Sequence, residues 1–491
     1  MRRAGSHQLT FVFADSPQGG GSADASDVTE AKRWLLRTAS DKEAHDPAAG
    51  AGETTHLLER AASVPNLAKA LLHVARNKGA AGVDGQSTDE VIERARSLLP
   101  ALSRDLLGGS YRPGDVRRVW IPKPGGGQRG LGIPNVVDRM VQQAVLQIME
   151  PIFEPTFHPS SHGFRPNRGA HTAIAEAKEN VRAGFDVVVD IDLAKFFDRV
   201  NHQRLLNRLA KRVHDGRLLR LVHRMLKAKV VMPDGARVSS EEGTPQGGPL
   251  SPLLSNIVLD ELDWELDRRG LRFVRYADDC NIFVRSERSG RRVMDSTRRF
   301  IEGRLRLEVN EEKSSVDRPC NRHFLGFRLV RMPDGAVEVH ISARTKQRMD
   351  DRIRTLTPRS WGQSLSSCLA EVSSYVRGWM AHYRICTEDG AQLFRRFDAH
   401  IRRRLRAIII HQKGKRPRHL HRHLRRRGVS EGAAAKTAYS RRGTWRRSNL
   451  PGMTLAYRNA WFAERVTLLW AEWQRLNPPS PVLDEQLPLF S

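Results

Sequence analysis

Cysteine is scarce. The 491-residue chain holds four, Cys280, Cys320, Cys368 and Cys386. They lie far apart and form no Cys-x-x-Cys pair, which argues against a zinc site or a disulfide framework and gives a reducing cytoplasm as the plain reading. Long apolar runs are missing too: no window approaches the ~20 residues of a transmembrane helix. The apolar stretch Leu9–Ala14 is too short for a signal-peptide core and lacks an Ala-x-Ala ending. Acid is in short supply, with 55 Asp and Glu against 82 Lys and Arg, a net charge of +27. Such a balance points to a polyanionic partner, nucleic acid first and an anionic membrane surface second. A membrane role needs an amphipathic face, and Ile408-Ile409-Ile410 is too short to supply one, so no membrane partner is expected.

What is present divides the chain unevenly. At roughly 150 residues per domain the length holds about three domains. Residues 1–55, rich in Gly, Ala, Ser, Asp and Thr, read as a flexible N-terminal extension, with one helix near Val28–Thr38. From 56 to 340 strand and helix patterns alternate, an α+β domain. The Pro- and Gly-rich stretch Tyr111–Asn135 predicts strands and a hairpin, Phe185–Leu193 a buried strand, and Leu271–Val284 a strand, a turn and a strand. From Ser342 onward only helical patterns remain: a helical region to 413, a basic region over 414–476, and a Pro-rich unfolded tail over 477–491. Between Arg395 and Arg447, nineteen Lys and Arg face two acids.

In so basic a chain, a carboxylate beside a hydrophobic strand needs a reason. Asp278 and Asp279 sit between Phe273-Val274 and Ile282-Phe283-Val284. Adjacent acids in a tight turn cost desolvation and mutual repulsion unless a cation is held there. Asp190, Asp192 and Asp198 form a second cluster on or after Val187-Val188-Val189, and Asp190 shares a strand face with Asp192. One carboxylate from a strand and two from a hairpin make an all-oxygen site suited to Mg²⁺. The alternative is that these Asp residues form turns or pair with arginines.

The wider pattern resembles the group II intron reverse transcriptases, or maturases, over about residues 58–470. The resemblance rests on several motifs in order. They are Asn77-Lys78-Gly79-Ala80-Ala81-Gly82-Val83-Asp84-Gly85, Ile121-Pro122-Lys123-Pro124 with Arg129 and Leu131-Gly132-Ile133-Pro134, and Gly163-Phe164-Arg165-Pro166. They continue with Asp192-Leu193-Ala194-Lys195-Phe196-Phe197-Asp198, Gly243 to Pro252 around Pro245-Gln246-Gly247-Gly248, and Tyr276-Ala277-Asp278-Asp279. Asn310 to Lys313, Phe324-Leu325-Gly326-Phe327 and Tyr375-Val376-Arg377-Gly378-Trp379 complete the set. The Tyr-Ala-Asp-Asp-Cys-Asn-Ile variant is most similar to the bacterial class C branch. Many relatives carry a zinc-linked HNH endonuclease, and here no Cys/His framework supports one.

The resemblance implies a right-hand polymerase fold, fingers and palm to 340 followed by an all-helical thumb. It implies an RNA-directed DNA polymerase that binds group II intron RNA, assists its splicing and copies it into a DNA target during retrohoming, in a bacterial cytoplasm at the nucleoid. Asp192, Asp278 and Asp279 would be catalytic and hold two Mg²⁺ ions, with Asp190 left as a supporting acid. Lys123, Arg129, Phe197, Gln246 and Lys313 would touch the dNTP. Phe197 would exclude a 2′-OH and Lys313 would protonate pyrophosphate. Phe324, Leu325, Gly326 and Phe327 would brace the primer, although core packing alone explains such residues. Arg402, Arg403, Arg404, Arg406, Arg425, Arg426 and Arg427 would grip RNA phosphates. The tail Gln486-Leu487-Pro488-Leu489-Phe490 looks like the short peptide by which bacterial replication proteins dock on the sliding clamp; a tail that only packs on its own domain is the other reading. Two further functions stay open: a domesticated enzyme of DNA repair or phage defence, and a splicing cofactor that only binds RNA.

Overall fold

The computed structural model describes residues 25–40, 55–122, 127–239, 242–243, 247–358, 362, 364–414 and 416–478. The described residues form two compact units, one of those up to Ala177 with Val187–Asp317, the other of Lys178–Asp186 with those from Arg318 onward.

The first unit opens with helices α1 (Ala25–Ala39), α2 (Leu57–Ala62), α3 (Val64–Arg76), α4 (Thr88–Glu93) and α5 (Ala95–Gly108), then strands β1 (Val116–Pro122) and β2 (Gln128–Ile133) and helix α6 (Val136–Phe153). Helix α7 (Ala170–Arg182) leads to β3 (Val187–Ile191), α8 (His202–Ala210), α9 (Gly216–Leu226), β4 (Val230–Val231) and β5 (Arg237–Val238). Then come α10 (Ser251–Arg268), β6 (Arg272–Tyr276), β7 (Asp279–Val284), α11 (Glu287–Phe300) and β8 (Ser315–Asp317).

Local chemistry sets many of these boundaries. Ser63 caps α3 by accepting from the Asn66 amide, and Ser87 and Glu90 form a reciprocal capping box at α4. The helical stripe of Leu67, Leu71 and Val74 is buried as its spacing predicts. The helix expected near Val28–Thr38 within the N-terminal extension is α1. Ala31 and Leu35, four apart on α1, are buried against α3, because an apolar pair on one helical face gains more by packing than by staying in water. Two antiparallel ladders answer the strand predictions. β1 pairs with β2, Trp120 opposite Gly130, where a Cβ would meet the Arg118 and Trp120 side chains. β6 pairs with β7 in a sheet of order β6-β7-β3-β8, and β3 is its buried strand.

The second unit contains a hairpin, β9 (Phe327–Arg331) with β10 (Val337–Ile341), then helices α12 (Ala343–Leu356), α13 (Leu365–Tyr383), α14 (Glu388–Lys413), α15 (Pro417–Arg426), α16 (Glu431–Ala438), α17 (Thr444–Arg447), α18 (Pro451–Ala456), α19 (Asn459–Ala463) and α20 (Leu469–Leu476). The division therefore falls at Asp317, not near 340. The hairpin joins the helices because fully buried Phe327 lies against the rings of His382 and Tyr383, and the Thr387 amide donates to the Val339 carbonyl. Ile408, Ile409 and Ile410 are buried in α14, and no described helix is long and apolar enough to cross a membrane.

Candidate active site

The Tyr276-to-Asp279 turn is a two-residue reversal. Tyr276 and Asp279 are paired across the ladder, and Ala277 at the tip has a left-handed φ of 58°. For a residue with a Cβ that conformation costs energy unless the surroundings hold it. Gly163 supplies one support, since a Cβ there would lie 2.3 Å from the Ala277 nitrogen. Arg275 supplies the other. Its side chain is fully buried, and all five N–H donors are used. Nε and Nη2 donate to the two Asp263 oxygens at 2.7 and 2.6 Å, Nη2 to Ser161 Oγ at 2.7 Å, and Nη1 to Asn256 Oδ1 at 3.0 Å and the Ala277 carbonyl at 2.8 Å. The sequence reading missed this residue. Its signal was there: an arginine inside Phe-Val-Arg-Tyr and an aspartate inside the apolar α10, each needing a partner.

Asp192 follows β3. Its amide donates to Ser314 Oγ at 3.0 Å, and its carbonyl accepts from the Asn310 amide at 2.8 Å. The same segment brings Lys313 Nζ within 3.8 Å of Asp192 Oδ1. Burial raises the Asp278 pKa, and the Asp192 charge adds to it while Arg129 and Arg275 oppose it. Burial holds Asp279 well above the usual carboxylate range, reinforced by Asp190, Asp278 and Asp192. Asp190 and Asp192 thus act electrostatically on the two acids of the turn. Among the described residues, no three acidic, His or Cys side chains are drawn into a closed metal cage. Their donor chemistry nonetheless fits a hard cation, which would relieve the repulsion. Asp190 heads the charges acting on Asp279, a larger part than the sequence reading gave it; it sits opposite Asn281, whose amide donates to Asp279 Oδ1 at 3.0 Å.

Arg129 is exposed on β2, and its charge reaches Asp278. Phe197 is half-buried, edge-on to buried Phe196 with centroids 5.2 Å apart. Lys123 and Gln246 lie outside the described residues. The two glycines that follow Gln246 in sequence approach the chain itself: a Cβ would come within 2.5 Å of the Gly132 carbonyl at Gly247 and 2.3 Å of Gln142 Oε1 at Gly248. Gly247 is thus seated on β2 and Gly248 on α6.

The family described as reverse transcriptase (RNA-dependent DNA polymerase) matches residues 121–329, and the group II intron maturase-specific domain matches 346–428. Protein YkfC of Escherichia coli is 33% identical over 306 residues, which cover 54% of this chain and 80% of that protein. The chain belongs to the group II intron reverse transcriptase–maturase family. The group II intron-encoded protein LtrA of Lactococcus lactis is 28% identical over 317 residues, 51% of this chain and 52% of LtrA. A putative COX1/OXI3 intron 2 protein of Saccharomyces cerevisiae is 36% identical over 173 residues, 35% of this chain and 20% of its own length. The chain thus spans about half the length of LtrA and about a fifth of the yeast protein.

In the second unit, Phe324-Leu325-Gly326-Phe327 is a tight turn with positive φ at Leu325 and Gly326 and mutual Phe324–Phe327 backbone hydrogen bonds. Both phenylalanines are buried, so they pack the turn and leave half-buried Leu325 at its tip.

The arginine set assigned to RNA needs correction. Arg406 is buried and donates through Nε and Nη2 to the Tyr457 carbonyl, at 3.1 and 2.8 Å. Burial draws its pKa down to about 10. Arg404 donates to Thr357 and the Arg354 carbonyl, Arg403 stacks 4.0 Å over Trp445, and Arg427 donates to the Ala456 carbonyl over Tyr457. Arg402 is half-buried, and Arg425 bonds the Val429 carbonyl and Glu431. These side chains tie helices together, because a guanidinium can satisfy several orphan carbonyls at once. Arg425, Arg426 and Arg427 are nonetheless exposed, with Arg396, Arg418, Arg422, Arg441 and Arg442, so the correction falls on Arg402, Arg403, Arg404 and Arg406. The tail residues Gln486, Leu487, Leu489 and Phe490 lie outside the described residues.

Asp398 accepts from the Leu469 and Trp470 amides at 2.7 and 3.0 Å, at the start of α20. Burial pushes its pKa from 3.8 up to about 6. The folded carboxyl therefore binds its proton at higher pH than the unfolded one, and its burden is fully present above pH 6 and relieved on acidification toward 4. Asp398→Asn keeps an acceptor without the charge. The expected result is that wild-type Tm gains on the variant's as pH falls from 7 to 5; parallel melting curves would show that Asp398 does not titrate there.

Proposed function

We propose that this chain is an RNA-directed DNA polymerase that binds group II intron RNA, assists its splicing, and copies it into DNA at a target site during retrohoming. The observation that carries this is the gathering of Asp192, Asp278 and Asp279 at one end of the β6-β7-β3-β8 sheet, where burial and mutual charge raise the pKa values of Asp278 and Asp279. These three would hold two Mg²⁺ ions. When bound, such a pair lowers the pKa of a primer 3′-OH and offsets the triphosphate charge.

The chain's own groups supply the rest. Lys313, 3.8 Å from Asp192, would give a proton to departing pyrophosphate. Arg129 and Lys123, from one motif, and Gln246, from the Pro245-Gln246-Gly247-Gly248 motif, would hold the nucleotide's phosphates and base. The Leu325 tip would brace the primer, and exposed arginines such as Arg426 would hold RNA phosphates. Purified full-length chain is expected to extend a DNA primer on an RNA template with dNTPs and Mg²⁺. No extension, with RNA binding intact, would instead support the RNA-binding cofactor.

Phe197 would stand where a ribose 2′-OH would be. Phe197→Ala is expected to raise incorporation of ribonucleotides relative to deoxyribonucleotides by roughly 10- to 100-fold in kcat/KM ratio. An unchanged ratio would remove Phe197 from sugar selection. The Gln486–Phe490 tail would dock on a bacterial sliding clamp, apolar Leu and Phe in a groove with Gln at its rim. Removal of residues 486–491 is then expected to abolish clamp binding; equal clamp affinity with and without the tail would discard that partner.

A further inference from the structure

Arginine is concentrated a second time in the sequence, in a stretch that belongs to the first unit. Residues 285–306 hold eight arginines, three acids and no lysine. Helix α11 runs through this stretch, capped by Ser286. Its inner side is Gly290 and Thr297, both buried. A Cβ at Gly290 would lie 2.5 Å from Val316 Cγ1 and 3.5 Å from the Val187 and Val189 methyls, so the helix is seated tightly on the sheet.

The opposite side is cationic. At 3.6 residues per turn, Arg288, Arg292 and Arg299 fall within about 40° of arc, facing away from Gly290 and Thr297. All three are exposed. Arg288 and Arg292 form no ion pair among the described residues, and Arg299 bonds only its own helix, at the Asp295 carbonyl. Asp295 lies in the same stripe but is paired with Arg298 at 3.5 Å. From Arg288 to Arg299 the stripe runs about 16 Å, against a duplex that carries one charge per ~1.7 Å of axis.

Strand alternation fixes which side of the sheet this is. Val187 and Val189 point toward α11, so Val188 and Asp190, which alternate with them, point to the other face, where Asp190 acts on Asp279. The stripe is therefore on the far side of the helix that covers the sheet's non-catalytic face. A polyanion bound there is not the strand end held at the carboxylates.

We infer that the outer face of α11 is a second nucleic-acid surface, which takes the phosphate backbone of an RNA stem while the catalytic face holds template and primer. The inference deepens the polymerase reading and rests on it for the choice of RNA. Arginine in place of lysine suits it, since the planar fork bonds two phosphate oxygens together. A lipid surface is disfavoured because no large exposed apolar side chain lies on α11.

The test uses the full chain with Arg288, Arg292 and Arg299 changed to Ser, all solvent-facing positions. Binding of a long, stem-containing RNA is followed by anisotropy without Mg²⁺ or dNTP, over a range of salt. Separately, extension is measured on a short oligonucleotide template. The triple variant is expected to bind the long RNA about 10- to 100-fold more weakly at 0.15 M salt, with a salt slope shallower by roughly 0.9 per lost phosphate contact. Its short-template rate should match the wild type. Unchanged affinity and slope would overturn the inference. So would a matching loss of short-template activity, or tighter wild-type binding to anionic vesicles than to RNA. If neither protein extends a primer, the polymerase reading fails while the binding arm still decides this one.

Discussion

Asp278→Asn is expected to abolish DNA synthesis while leaving RNA affinity and folding intact. Asp278 stands at the tip of the β6–β7 turn, where burial and the Asp192 charge already disfavour its ionised form. Exchange for Asn removes a charge the fold does not want. The melting temperature should hold or rise, as is common when a strained functional group is neutralised. The loss falls on cation binding alone. If the carboxylate supplies about 4 kcal/mol to the transition state through a bound metal, primer extension falls by roughly a thousandfold. Primer extension, RNA anisotropy and thermal melting on the same preparations decide it. Full activity in the variant would remove Asp278 from the metal site. Loss of both activity and folding would assign it a structural role.

Arg275→Met is expected to destabilise the first unit severely. The change leaves Asp263, itself fully buried, without its partner, a loss of about 3–5 kcal/mol for a broken buried pair. It also frees the Ala277 carbonyl and leaves Asn256 and Ser161 without a donor. Since a misfolded variant says little about position, the informative protein is the double change Arg275→Met with Asp263→Leu. Replacing both charges by apolar groups of similar volume commonly restores stability. The double variant should melt near the wild type yet remain slow in kcat, because the guanidinium tie to the carbonyl of left-handed Ala277, φ 58°, beside Asp278 and Asp279 is then gone and only the close packing at Gly163 remains. Wild-type kcat in a stable double variant would make Arg275 a packing residue only.

Both predictions depend on residues of differing legibility. Asp278 was readable because two acids between apolar strands have no use in a core. The β1–β2 hairpin, the β6–β7 hairpin and the helices α12, α13 and α14 were readable as well, since they are written in local periodicity and in glycine. The partners of Arg275 were not. Asp263, Asn256 and Ser161 come from 12 to 114 residues away in sequence, and no periodicity records which of them will meet. Asp190 was read as a supporting acid for the same reason: its closeness to Asp279 comes from the pairing of β3 with β7.

The arginines mark the boundary most plainly. By itself the sequence determined that this chain is cationic, that its acids cluster in two places, and that an α+β part precedes a helical one. Those are matters of composition and short-range pattern. Which arginines remain available to a polyanion was decided only by the tertiary structure. Arg406 is spent on the Tyr457 carbonyl, while Arg288 and Arg292 face water. The physical reason is that charge is a property of the residue, but desolvation and hydrogen-bond partnership belong to the packed chain.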